Sequence, residues 1–186
     1  MTGRGELESY TTDHHSHNFA AWAAGRAAFR GFTNGDNIGE TQFTNMLLNE
    51  CGLSGVNSVE GLPAPDAFDA SHKEWRNKMC EGRTRMTHGR AAKVINIYLK
   101  ARFICSSDTS HQKIAAIHPP IDAQLLQCLA DNNFGSVGHL WQKFHNQRWT
   151  KYSSTSYEAV ISQIQKSMNG YPLWKIEAFW NPSANT

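Results

Sequence analysis

The sequence predicts an all-α fold, on three observations. Apolar residues recur at three- and four-residue spacing in most segments, no stretch of useful length alternates apolar and polar, and no internal repeat is present. At 186 residues and 40% hydrophobic, with six Trp, nine Phe and five Tyr, the chain can bury one core without splitting into domains. The expectation is a single domain, residues 1–186, of seven to eight helices around a buried central helix at about residues 89–104. Residues 1–13 and 182–186 are expected to be flexible. No run approaches the roughly 18 apolar residues of a membrane span, and MTGRGELESYTTDHH lacks the order of a signal peptide, so a cytoplasmic protein without a membrane partner is expected.

In chain order, the first helix is expected from Ser16 to Arg30, capped by Asp13 or Ser16 and stopped by Gly31, since Phe19, Trp22, Ala23 and Ala27 share a face. A second is expected over residues 40–51, where Phe43, Met46, Leu47 and Glu50 repeat before Gly52. Glycines and prolines make residues 53–65 a loop, and Asp66 or Asp69 starts a third helix that runs to Cys80. The central helix follows. Val94, Ile95, Ile97, Tyr98, Leu99, Phe103 and Ile104 cover more than one of its faces, which requires burial on most sides. Residues 106–117 read as loop. His118-Pro119-Pro120 then stiffens the entry to a helix over 122–130. Helices at about 137–146, 156–168 and 172–180 complete the chain.

Charge is distributed unevenly along this frame. Residues 1–72 carry three Lys or Arg against nine Asp or Glu, whereas residues 73–102 carry nine against two. The basic block either binds phosphates or pairs with the acidic first third. The isolated Cys51, Cys80, Cys105 and Cys128 read as free thiols, and His14-His15-Ser16-His17 as a helix start rather than a metal tract.

Within the central helix, Arg90, Lys93, Asn96 and Lys100 fall along one line. Unpaired charge is too costly to bury, so that line faces water or a cleft. In the first case it is an ordinary exposed face. In the second, Lys93 is an amine stripped of water that can act as a nucleophile. Asp122 has two readings as well: an N-cap favoured by the helix dipole, or a carboxylate facing Lys93.

Gly89-Arg90-Ala91-Ala92-Lys93-Val94-Ile95-Asn96-Ile97-Tyr98-Leu99 resembles the helix that follows the hairpin in helix-hairpin-helix DNA glycosylases. Pro120-Ile121-Asp122-Ala123-Gln124-Leu125-Leu126 resembles the proline/apolar-Asp motif of the same superfamily, and the 29-residue interval resembles that of its archaeal 8-oxoguanine branch. The glycine-rich hairpin of that superfamily is replaced here by Arg85-Met86-Thr87-His88-Gly89, which keeps only the last glycine. Residues 19–32 and 173–180 resemble a widespread group of uncharacterised bacterial helical proteins.

The glycosylase resemblance implies excision of a base flipped out of duplex DNA, in repair or in defence against foreign DNA. Lys93 would be the nucleophile, giving a Schiff base and strand cleavage, and Asp122 would stabilise charge on the sugar and move the proton. Arg83, Arg85, His88, Gly89, Arg90 and Lys100 would hold the nucleic acid. Trp22, Asn96, His118, Trp149 and Tyr152 would form the base pocket, and neither metal nor cofactor is needed. Two other readings stand beside it. One is a non-catalytic helical module that binds nucleic acid or protein through the 73–102 block, which requires a continuous basic face. The other is a subunit that docks a protein through its Trp-rich C-terminal helix, which requires an exposed apolar patch.

Overall fold

A computed structural model describes residues 9–33, 38–106 and 109–180, and these contain helices and no strand. Helix α1, Thr12–Ala28, starts four residues before the expected Ser16 because Thr11 and His14 form a reciprocal cap. The Thr11 hydroxyl accepts from the His14 amide, and the His14 ring accepts from the Thr11 amide. Helix α2, Glu40–Cys51, has the expected limits and ends on Gly52 at φ +83°, a backbone conformation that glycine adopts without penalty. A 3-10 turn, Leu53–Gly55, interrupts the loop before α3, Phe68–Cys80.

The central helix is α4, His88–Leu99, capped by the Thr87 hydroxyl and extended by a π turn, Lys100–Ile104. A four-residue helix, α5 (Gln112–Ala115), stands where only loop was expected. Helix α6, Ala123–Asp131, is capped by Asp122. Helices α7, Gly138–Asn146, and α8, Ser154–Met168, fall within two residues of expectation. The closing segment Leu173–Phe179 is a 3-10 helix, not the expected α-helix.

Burial explains why α4 is so apolar. It divides two hydrophobic clusters, one built by α1 to α3 with Val94, Ile95, Tyr98 and Leu99, the other by α6 to α8 with Ala92. Helix α1 approaches α4 and α2 through small residues, Ala20, Ala21, Ala24, Gly25 and Ala28, all buried. A Cβ on Gly25 would come within 2.7 Å of Thr44 Oγ1.

The termini expected to be flexible fall mostly outside the described residues, although Thr11 to Asp13 belong to the capped start of α1. Among the described residues, no helix is long and apolar enough to cross a membrane. The C-terminal segment packs inward: Leu173 and Ile176 are buried, and Trp174 is partly buried against the first cluster.

Candidate active site

Lys93 and Asp122, 29 residues apart, meet. Lys93 Nζ lies 2.9 Å from Asp122 Oδ2, while Asp122 Oδ1 accepts the Leu125 amide at 2.8 Å. Both sequence readings of Asp122 therefore hold together, one oxygen capping α6 and the other facing the lysine. The Lys93 side chain is 6% exposed and that of Asp122 26%, so the ammonium depends on this carboxylate far more than a surface ion pair would.

Two depressions share Lys93 and Asp122 on their walls. The inner one, about 170 Å³, has Ile97, Pro120 and Leu125 as apolar lining, with Trp180 and the Lys100–Glu177 ion pair completing it. The outer one, about 440 Å³, is lined by Arg26, Arg30 and Arg90 together with Trp149 and Thr150. Lys93 Nζ lies 5.4 Å from the centre of the Trp149 ring, within cation–π range. Arg148, just before Trp149, has φ +60° and ψ 108°, a conformation that is strained for a residue with a side chain.

Asn96 corrects the expected stripe. The row along α4 continues from Lys93 through Ile97 to Lys100, and Asn96 is turned into the core with no exposure. There it belongs to a chain of hydrogen bonds whose direction its donors set. Arg76 Nε donates to His72 Nδ1 at 3.1 Å, so that nitrogen is bare and His72 Nε2 carries the proton toward Asn96 Oδ1, 2.8 Å away. Both Asn96 amide hydrogens are then used, toward the Pro119 carbonyl (2.8 Å) and the Tyr157 hydroxyl (3.0 Å). The Tyr157 hydroxyl donates to His118 Nδ1 at 3.1 Å, and His118 Nε2 donates to Asp69 Oδ1 at 2.7 Å. Burial pushes the His72 and His118 imidazoles below their usual range, and the bond from His118 holds the Asp69 carboxyl low.

Asn96 and His118 line neither depression beside Lys93; their polar atoms are engaged in this network, and His118 lines a separate depression with Asp69 and Tyr157. Tyr152 is also core, 2% exposed, with its hydroxyl donating to the Phe144 carbonyl. Trp22 is half exposed beside Phe19 and lines neither depression. Of the five expected pocket residues, Trp149 alone lines the Lys93–Asp122 site.

The expected phosphate contacts divide in the same way. Arg90 lines the outer depression, with one guanidinium nitrogen donating to the Ala28 carbonyl at 2.6 Å. Lys100 is paired with Glu177 in the inner one. Arg83 pairs with Glu50, and Arg85 is exposed away from both. His88 is half buried, which lowers its pKa.

The Gly89 amide donates to the Tyr152 carbonyl at 3.2 Å, so it is not free for a phosphate. A Cβ on Gly89 would meet the Trp149 carbonyl oxygen at 1.8 Å, so this glycine permits the backbone of residues 149–152 to pass against α4. Much of the basic block is ion-paired, with Lys73 and Arg76 sharing Glu158, Lys78 on Glu74, and Arg102 on Asp13.

Sequence reasoning missed Arg26, Arg30, Glu177 and Trp180. A signal for the first two was present: apart from Arg4 they are the only Lys or Arg residues before Lys73, and they stand four apart at the end of α1. Glu177 and Trp180 carried none, since their place depends on how the last segment folds back. Compared with protein families, curated proteins and solved structures, the chain matches none.

Proposed function

We propose that this protein is a DNA base-excision enzyme, a glycosylase with abasic-site lyase activity, in which Lys93 is the nucleophile and Asp122 its proton partner. One observation carries the reading: a nearly buried lysine paired at 2.9 Å with a carboxylate, on the wall common to a small apolar-lined cavity and an arginine-lined depression. That combination suits a polyanion outside and an uncharged ring inside. The inner cavity, at about 170 Å³, is below the roughly 300–1,000 Å³ of sites for drug-sized ligands, a scale for one heterocycle.

In this reading Arg26, Arg30 and Arg90 hold the phosphates flanking an everted nucleotide. The base enters the inner cavity against Ile97, Pro120 and Trp180. Lys93 transfers a proton to Asp122, and the neutral amine attacks the anomeric carbon of the sugar. The electron pair of the N-glycosidic bond leaves with the base, which takes the proton from Asp122. Asp122, again a carboxylate, removes a second proton from the new ammonium and delivers it to the ring oxygen as the C1′–O4′ bond breaks, leaving a protonated Schiff base from which strand cleavage proceeds.

Borohydride trapping on abasic-site DNA tests this directly. Wild type gives a covalent adduct, and Lys93→Gln gives none while still binding the DNA. Absence of an adduct with wild type overturns the lyase reading.

A further inference from the structure

We infer that Asn96 is a positioning residue, which sets the distance between Lys93 and Asp122 by latching the segment 118–122 to the central helix. The inference deepens the function proposed above, but its geometric core, that Asn96 controls the Lys93–Asp122 pair, can be tested apart from any activity.

The two members of the pair stand on different elements, and a closed ring of contacts joins them. From Lys93 the ring runs one turn along α4 to Asn96, across the amide hydrogen bond to the Pro119 carbonyl, along Pro120 and Ile121 to Asp122, and back to Lys93. Each link is stiff. The helix fixes residues 93 to 96, and the prolines at 119 and 120 fix φ in the strap. Apart from the Lys93–Asp122 contact whose geometry is in question, the one link that depends on a side chain is Asn96.

That side chain has no slack. Its oxygen is held by His72 on α3, which is itself held by Arg76, and its second hydrogen is taken by Tyr157 on α8. Its remaining hydrogen therefore points at Pro119 and nowhere else. A second latch grips the strap one residue earlier, where His118 is held between Tyr157 and Asp69. Aspartate at position 96 would have the shape but no donors, and leucine the volume but no polar atoms, so the latch requires the amide.

The test reads Lys93 itself. Folded protein is treated briefly with the acetyl ester of N-hydroxysuccinimide, and acetylation of Lys93 is followed by mass spectrometry against the exposed Lys143 and Lys166 in the same sample. In wild type, pairing and burial keep Lys93 slow. In Asn96→Ala the strap is released, Lys93 acetylation rises several-fold toward its rate in Asp122→Asn, and the two reference lysines do not change. Tyr157→Phe, which keeps the bond to Pro119, stays close to wild type.

If Lys93 reacts in folded Asn96→Ala as it does in wild type, Asn96 does not position the pair. Where Asn96→Ala fails to fold, Asn96→Leu, which keeps the volume and removes both donors, takes its place; unchanged Lys93 acetylation there overturns the inference. Borohydride trapping on the same variants separates the two proposals. Faster acetylation with no adduct even in wild type keeps the positioning role and removes the lyase reading. With an adduct in wild type, folded Asn96→Ala traps more slowly at saturating DNA, with its DNA affinity unchanged.

Discussion

Asp122 serves two partners at once, the backbone amide of Leu125 through Oδ1 and the ammonium of Lys93 through Oδ2. The cap fixes the carboxylate at the start of α6, so the lysine meets an acceptor that is already oriented. This makes the two residues unequal for stability. Asp122→Ala loses the cap and strands a nearly buried ammonium, and should cost about 2–4 kcal/mol. Lys93→Met keeps the apolar stem and leaves the cap intact, and should cost under about 1.5 kcal/mol. Urea unfolding of the two variants measures the difference, and equal losses would contradict the dual role.

Gly89 is required by space rather than by phosphate chemistry. Gly89→Ala places a Cβ 1.8 Å from the Trp149 carbonyl oxygen, which a backbone cannot evade cheaply. The expected loss is about 2–3 kcal/mol. Gly55→Ala, with nothing within 4 Å of the added carbon, is the control and should stay within about 0.5 kcal/mol of wild type. Thermal unfolding of both variants is sufficient.

Stability should fall as the solution is acidified from neutrality, well before carboxylates protonate. Burial lowers the pKa of His17, His72, His88 and His118 in the folded chain. A lowered folded value means that the unfolded chain binds protons first, so the stability these histidines contribute is complete above about pH 6.5 and is lost as pH drops toward their folded values. Asp69, also lowered, adds a further loss at more acidic pH. Denaturation midpoints measured between pH 7.5 and pH 5 (about the histidine range) should decline steadily. A flat profile would contradict the neutral, buried assignment of His72.

Nucleic-acid affinity should follow the outer depression and not the basic block as a whole. Arg26→Glu and Arg30→Glu should each weaken binding to duplex DNA irrespective of sequence and reduce the slope of log affinity against log salt by about one. Arg83→Glu, at a residue paired with Glu50 and remote from both depressions, should leave the slope unchanged. Fluorescence anisotropy across a salt series distinguishes these outcomes.

What the sequence determined by itself was local. The three- and four-residue spacing of α2, the cap at Asp122 and the width of the apolar surface of α4 follow from the helical period and from unpaired amides at a helix start, and these need no knowledge of distant residues. The Lys93–Asp122 pair was legible from a motif resemblance; composition and spacing did not reveal it. Tertiary structure alone decided that Asn96 turns inward, because a spacing of three leaves a residue some 60° off the line through Lys93, enough to point it between α3 and α8. It also decided that Tyr152 is core, that Arg26 and Arg30 come beside Lys93, and that Glu177 and Trp180 line the inner cavity. The helical period states which residues share a side of one helix. What stands opposite that side is settled by packing between segments far apart in the chain, where spacing carries no information.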